Sequence, residues 1–141
     1  MKAGSELGLA QLLSQVESRV TRRLVTVLRA NDCELAEWRV LRLLADGRGR
    51  PMSEIKGFVL LPGPTLTKLI DRMVADNLVY RRGDLEDRRR VLVFPAPRGV
   101  AKYEAIRAAV DIDQMELAER IGDEQLGELT RVLSQVADVL Q

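Results

Sequence analysis

The stretch that most constrains the fold is residues 61–93, in which a short amphipathic segment is followed at once by two β-forming segments. Its apolar residues recur at i, i+3, i+4 and i+7, which predicts one buried helical face. They are Leu66, Leu69, Ile70 and Met73. We expect this helix to begin near Pro64, since proline is preorganised for a first turn, with Gly63 as its cap. Asn77 suits the left-handed backbone that ends a helix.

The opposite face of the predicted helix is short, polar and cationic at its start. It carries Pro64, Thr67, Lys68 and Asp71, with Thr65 and Arg72 at its flanks. A helix of this kind fits the major groove of DNA, where hydroxyl and amino groups can bind base edges. DNA phosphate would repel Asp71 on this face, so we expect Asp71 to pair with a cation, either Arg89 or Arg72.

The two β-forming segments predict a hairpin with an arginine-rich tip. Residues 79–82 and 90–94 flank the turn-rich segment 83–87. The tip then carries Arg88, Arg89 and Arg90, and arginine is suited to a narrow minor groove. Alone, either the helix or the hairpin is best interpreted as a solvated element without a partner. The two in tandem favour a protein that reads duplex DNA.

The same residues resemble a known family. Residues 65–73 read TLTKLIDRM and are similar to the recognition helix of the MarR family of bacterial transcription regulators. Asp87, Arg89 and Gly99 have the spacing of the family's wing signature, with Val91 to Val93 between them. Pro95 and Ala96 stand where the family has Leu-Thr, and Pro97 is expected to open the next helix instead. Gly63 and Pro64 replace small polar residues, and Leu60 replaces a turn glycine.

The resemblance implies a mostly α fold with a small β-hairpin wing, that is, a winged helix-turn-helix with N- and C-terminal dimerisation helices. It implies one MarR-like domain over residues 1–141, with the DNA-binding lobe at about 32–97 and the dimerisation region at about 5–30 and 98–141. It also implies a homodimeric repressor that binds a pseudo-palindromic operator in double-stranded DNA and is released by a small aromatic or anionic effector. The expected DNA-binding residues are Thr65, Thr67, Lys68, Arg72, Arg88, Arg89 and Arg90.

Composition limits the kinds of partner and of functional site that this sequence can have. The net charge is +1, but residues 61–99 carry eight Lys/Arg against five Asp/Glu, whereas residues 100–141 carry four against nine. This asymmetry favours a molecule in which one end binds an anionic polymer and the other end avoids it. The sequence has no histidine and one cysteine, so transition-metal sites lack their usual ligands and histidine-dependent triads are excluded; we expect no cofactor and no metal. We see no signal peptide and no apolar run of membrane length, which predicts a cytoplasmic protein with no membrane partner.

Further helices are expected on both sides of the DNA-reading segment. They cover about 5–30, 34–45, a short helix capped by Ser53 that ends near Val59, and about 97–122; residues 46–51 are expected to form a turn. The inward side of the helix after the wing is marked by Val100, Ile106, Val110, Met115, Ala118 and Ile121. Gly122 is expected to end that helix and Asp123 to cap the next.

The last helix carries a heptad seam of apolar residues, with Val132 and Val139 beside it. The seam comprises Leu126, Leu129, Leu133, Val136 and Leu140. The first helix carries a matching stripe of Leu9, Leu13, Val16, Val20, Leu24 and Val27. Two adjacent apolar rows need more cover than one helix offers, so we expect both helices to pack against those of a second subunit.

Two single residues raise alternatives. Trp38, the only tryptophan, is expected in the core, and a wall of a ligand pocket is the second interpretation. Cys33 lies between Asp32 and Glu34, which should raise its pKa, so a structural role is expected and a single-cysteine redox sensor is the alternative. A protein-interaction module that has lost DNA binding is a further alternative. An enzyme is not expected, since Glu116 and Glu119 lie on a generally acidic helix with no implied nucleophile.

Overall fold

The computed structural model describes the backbone of residues 2–141 and the side chains of residues 8–141. The helices are α1 (Lys2–Arg29), α2 (Leu35–Leu43), α3 (Met52–Val59), α4 (Gly63–Ala75), α5 (Pro97–Ile121) and α6 (Asp123–Val139). The strands are β1 (Arg50–Pro51), β2 (Val79–Gly83) and β3 (Val91–Pro95). A 3-10 turn, Leu44–Asp46, follows α2. The mostly helical class with a small wing is confirmed. In the described part of the chain, no helix is both long enough and apolar enough to cross a membrane.

The wing is a three-stranded antiparallel sheet with β3 in the middle. β2 and β3 form the predicted hairpin, in a register that runs from Val79 opposite Pro95 to Gly83 opposite Val91. β1 adds a third strand, with Pro51 opposite Leu92. The prediction that residues 46–51 are only a turn was therefore wrong at its last two residues. Two residues, one of them a proline, are too few to show the alternation by which strands are recognised.

The helix-turn-helix core includes the apolar face that the spacing in α4 predicts. Ile55 and Val59 of α3 are buried with Leu66 and Ile70 of α4 in a single cluster. The same cluster holds Val93 of β3, so the sheet closes over the helices. Burial of these side chains fixes the angle at which the polar face of α4 is presented.

Three expected helix starts are corrected. Pro62, in an extended conformation, precedes α4, so Gly63 is its first residue rather than its cap. Pro51 does the same for α3, and Ser53 forms no capping hydrogen bond. Gly122 precedes α6, which makes Asp123 a first-turn residue. Proline holds φ at about −65°, which fits the residue before a helix, but its ring has no hydrogen-bond acceptor, so α3 and α4 begin without a side-chain cap.

A second cluster joins the terminal helices to the winged lobe. It comprises Leu28 of α1, Cys33, Trp38 of α2, and Ile106 and Val110 of α5. Other residues expected to face inward on α5 are not covered, because Val100, Met115 and Ile121 are exposed. The seam of α6 and the first half of the α1 stripe are also largely exposed, and α6 contributes no buried residue. These apolar rows therefore form a surface that the single chain does not bury.

Candidate nucleic-acid interface

The polar face of α4 lies at the surface, as its sequence predicts. Thr65, Thr67 and Lys68 are exposed, while the four apolar residues of the opposite face are buried. The Thr67 hydroxyl donates a hydrogen bond to the carbonyl oxygen of Gly63 at 3.0 Å. Asn77 has a φ of 59° at the end of the helix, so the predicted left-handed stop is confirmed.

The turn that leads into α4 is held by a residue with an unusual backbone. Leu60 has a φ of 62° and a ψ of 41°, which is the left-handed region. This region costs a leucine about 1–2 kcal/mol relative to glycine, because its Cβ crowds the next carbonyl. Its side chain is 76% exposed, so burial does not offset that cost.

The wing tip, residues 84–90, is organised by its own acidic residues. The backbone N–H of Asp84 donates to the carbonyl of Arg90 at 3.0 Å, and the N–H of Arg90 donates to the carbonyl of Asp87 at 3.0 Å. The Asp87 carboxylate accepts the N–H of Arg89 at 3.1 Å. The acids thus shape the loop, and the side chains of Arg88, Arg89 and Arg90 are exposed. The placement of these arginines at the tip is as predicted.

The partner of Asp71 on α4 differs from the two that were expected. The Asp71 carboxylate accepts a hydrogen bond from Arg81 of β2 at 2.5 Å, rather than from Arg89 or Arg72. Arg72 pairs instead with Glu34 before α2, at 2.9 Å. Within residues 8–141, Lys68 and the three tip arginines form no ion pair. Lys68 and the three tip arginines are therefore unpaired at this surface, whereas Arg72 is paired with Glu34.

Arg81 is a residue that sequence reasoning missed. The available signal is the alternation of side chains along a strand, which places Val79 and Arg81 on the same face of β2. Val79 is buried against α4, so Arg81 lies on the side of the strand that faces the helix. The other face of the sheet carries Tyr80 stacked on Phe94, with ring centroids 5.4 Å apart, and the Arg82 guanidinium 5.6 Å from the Phe94 ring.

Gly99 is needed for the close approach of α5 to the start of β2. A Cβ at Gly99 would lie 2.0 Å from the carbonyl oxygen of Leu78. That oxygen accepts the N–H of Ala96 at 2.9 Å, so the backbone of Leu78 cannot move away without breaking this bond. Pro97 is the first residue of α5, as predicted. The glycine of the wing signature is thus explained by contact between two backbones.

Trp38 serves in the core and also lines a cavity. It is 2% exposed and stacks on Tyr103 of α5, with ring centroids 5.1 Å apart and ring planes 21° apart. A cavity of about 290 Å³ lies beside this stack. Its walls are Trp38, Arg42, Tyr103, Arg107, Val110, Asp111 and Gln114. Tyr103 was missed, although Tyr103, Ile106 and Val110 follow the i, i+3, i+7 pattern of one helical face.

Cys33 is buried beside an ion pair. The Lys102 ammonium lies 2.7 Å from Glu37, which is itself buried. Burial, with the Glu37 charge as the next contribution, raises the pKa of the Cys33 thiol to about 12. The raised pKa is as predicted, but burial rather than the flanking acids is its main cause. A thiol that stays protonated at neutral pH is a poor nucleophile, which does not favour a redox sensor. No group of three or more metal-binding side chains occurs among the residues whose positions are described.

Comparison with known proteins agrees with this arrangement. Residues 32–90 match the model of the MarR family. The HTH-type transcriptional regulator FarR of Neisseria gonorrhoeae is 28% identical over 103 residues, which cover 73% of this chain and 70% of FarR. The homoprotocatechuate degradative operon repressor of Escherichia coli is 21% identical over 109 residues, which cover 77% of this chain and 74% of that protein.

Solved structures share the fold over nearly the whole chain. A MarR family transcriptional regulator from Silicibacter pomeroyi DSS-3 has a TM-score of 0.83 at 26% identity, with 94% of this chain and 95% of that chain covered. A mutant MarR from E. coli complexed with operator DNA has a TM-score of 0.77 at 26% identity, with 91% and 92% covered. NadR in complex with 4-hydroxyphenylacetate has a TM-score of 0.76 at 26% identity, with 89% of each chain covered. The chain therefore has the winged helix-turn-helix fold of the MarR family, and it is similar to that family's transcriptional regulators, which are DNA-binding proteins rather than enzymes.

Proposed function

We propose that this protein is a sequence-specific transcriptional regulator that binds double-stranded DNA as a homodimer and represses until a small molecule releases it. The observation that carries the proposal is the joint exposure of the α4 polar face and the arginine tip, with Lys68, Arg88, Arg89 and Arg90 unpaired within residues 8–141. Unpaired cations on one surface supply the salt-dependent attraction to phosphate on which DNA binding depends. We place the regulator in the cytoplasm, where that DNA lies.

Each part of the interface has its own role in this proposal. Thr65, Thr67 and Lys68 face the major groove and contact base edges or phosphates, whereas Arg89 enters the minor groove beside each half-site. Arg88 and Arg90 lie nearer the backbone of the duplex. Arg72 is at the flank of the helix, and its pair with Glu34 would have to open before it could bind phosphate. We therefore propose that residues 32–97 carry DNA binding.

The dimer follows from the apolar surface that the chain leaves uncovered. Leu13, Val16 and Val20 of α1 and Leu129 and Leu133 of α6 line one apolar groove together with the end of α5. A surface this apolar is characteristic of an interface in a stable oligomer. We therefore assign residues 5–30 and 98–141 to dimerisation. Two-fold symmetry then requires a pseudo-palindromic operator with half-sites about one helical turn apart.

The effector is proposed to be a small aromatic carboxylate that binds beside Trp38. The cavity there offers two aromatic rings and the guanidinium groups of Arg42 and Arg107, against one acid, Asp111. A volume of about 290 Å³ is near the lower end of ligand cavities, which suits a single ring with a short acidic chain. The cavity lies between α2 of the DNA-binding lobe and α5, so a ligand that moves one helix against the other would change how both copies of α4 are spaced.

The DNA-binding proposal is tested by fluorescence anisotropy with a labelled duplex from the region upstream of the protein's own gene. A scrambled duplex of the same composition is the control, and both are titrated at two salt concentrations. We expect tighter binding to the upstream duplex, with affinity for both duplexes falling steeply with salt. Equal and weak binding to both would contradict a sequence-specific regulator and would favour a protein-interaction module instead.

The effector proposal is tested through the only tryptophan. Titration with 4-hydroxyphenylacetate or benzoate should change the Trp38 fluorescence over the same concentrations that release the duplex. Arg107→Gln should weaken both responses together, while Arg131→Gln, on α6 and outside this cavity, should leave them unchanged. Release of the DNA without a change in Trp38 fluorescence would place the effector elsewhere.

A further inference from the structure

The contact between Asp71 and Arg81 joins the recognition helix to the wing. Asp71 lies on the polar face of α4, and its carboxylate accepts the Arg81 hydrogen bond at 2.5 Å. Arg81 lies on β2, opposite Val93 of the central strand. The two elements that the proposed function sends into different grooves are thus bonded to each other by one ion pair.

The charges around this contact decide what it does. Asp71 is the one acid on the polar face of α4, and it is substantially exposed, so an unpaired carboxylate there would face the phosphates. The Arg81 side chain is less exposed, at 35%, and its guanidinium is directed at the helix rather than outward. Arg81 therefore cancels a charge that opposes DNA and is itself withheld from direct contact.

From these observations, and resting on the proposed function, we propose that Arg81 is a positioning residue of the DNA interface. It acts through Asp71: it neutralises that carboxylate and fixes the wing against α4. An exposed ion pair contributes little to global stability, so the benefit lies in DNA binding rather than in the free energy of unfolding. The interaction that is strengthened is the one with the phosphate backbone of duplex DNA.

The test is a double-mutant cycle in DNA affinity with the full-length protein and the upstream duplex. Arg81→Gln should weaken binding about tenfold for a dimer with two half-sites, because two bare carboxylates then face phosphate at near-water dielectric. In the Asp71→Asn background the same Arg81→Gln change should alter affinity by less than twofold. Arg81→Lys, which keeps the charge, should stay within about threefold of the original protein.

Two controls separate positioning from a structural role and from direct contact. The melting temperature of Arg81→Gln should stay within about 2 °C of the original, since the pair is exposed. Arg82→Gln alters the next residue, which lies over Phe94 and not beside Asp71, and its effect should be the same with and without the Asp71→Asn change.

If Arg81→Gln weakened binding equally in the original protein and in the Asp71→Asn background, Arg81 would be a direct phosphate contact and the inference would be overturned. Failure of the original protein to bind any duplex would overturn the proposed function as well, so the two failures are distinguishable.

Discussion

Gly99 and Leu78 lie in backbone contact where α5 begins beside β2, and a Cβ on Gly99 would come within 2.0 Å of the Leu78 carbonyl oxygen. We expect Gly99→Ala to lower the free energy of unfolding by about 2–3 kcal/mol, since backbone must shift to admit the methyl group. Urea unfolding at a fixed protein concentration measures this. Gly57→Ala is the matched control: its Cβ meets nothing within 4 Å in α3, so it should stabilise the protein by about 0.5–1 kcal/mol. Equal effects of the two variants would contradict the close contact.

Leu60 holds a left-handed backbone in the turn before α4. Leu60→Gly should raise the free energy of unfolding by about 0.5–1 kcal/mol, because relief of strain outweighs the greater freedom of glycine in the unfolded chain. The check is the urea midpoint. Leu85→Gly, at a leucine that is 83% exposed and outside the left-handed region, should give no gain. A loss of stability in Leu60→Gly larger than in Leu85→Gly would show that the turn is not strained.

Substitutions in the wing and in the recognition helix should impair DNA binding in different ways. Arg89→Ala should weaken binding to the operator and to A·T-rich decoys alike, and make the salt slope shallower by about one unit per half-site. Lys68→Ala and Thr67→Ala should instead reduce the difference in affinity between operator and random DNA. Both residues face the major groove, in which each base pair presents a distinct pattern. Titrations on three duplexes at several salt concentrations test both. An unchanged salt slope in Arg89→Ala would remove that arginine from the interface.

Leu133 lies in the uncovered seam of α6 and is 41% exposed in the single chain. Leu133→Glu should convert the proposed dimer to monomer, because it places two charges in an apolar contact. Sedimentation equilibrium at micromolar concentration gives the mass directly. Leu85→Glu, on the wing tip, should leave the mass of the dimer unchanged. A monomeric mass for the unaltered protein would refute the assembly.

Cys33 should react slowly with thiol reagents while the protein is folded. Its pKa is raised to about 12 because the thiol is buried, so thiolate is scarce at pH 8. The protonated thiol is the form that folding favours, so its contribution to stability is fully present below about pH 9 and is lost as the pH rises toward 12. Iodoacetamide labelling at pH 8, with and without urea, should show modification only after unfolding. Cys33→Ala should remove the alkaline part of the stability loss, and rapid labelling of the folded protein would contradict the burial.

The predictions from sequence succeeded where one periodic pattern was sufficient. The i, i+3, i+4, i+7 spacing placed Leu66, Leu69, Ile70 and Met73 in the core and left Thr67 and Lys68 outside, because the helical period fixes both faces at once. Asn77 and the tip arginines followed from local turn chemistry. These features depend on residues close together in the chain.

The predictions failed where distant elements decide the outcome. The partner of Asp71 depends on how β2 packs against α4. Strand parity places Arg81 on the same face as Val79, but it does not specify that this face lies against α4. The outward position of Met115 and Ile121 depends on how many helices cover α5, which a single helix does not specify. The cap positions at Ser53 and Gly63 were wrong because the preceding proline already supplied the extended backbone that an N-cap residue would provide.

The shortness of β1 has a consequence for solubility. This edge strand has two residues, and Pro51 has no backbone N–H, so β1 offers at most the single donor of Arg50 to any further strand. The opposite edge, β2, carries Arg82, which forms no ion pair within residues 8–141, and its charge disfavours an identical strand laid alongside. Both edges of the wing therefore disfavour pairing with the wing of a neighbouring molecule on the same duplex. Pro51 thus ends the sheet at β1 and makes this edge a poor template for aggregation.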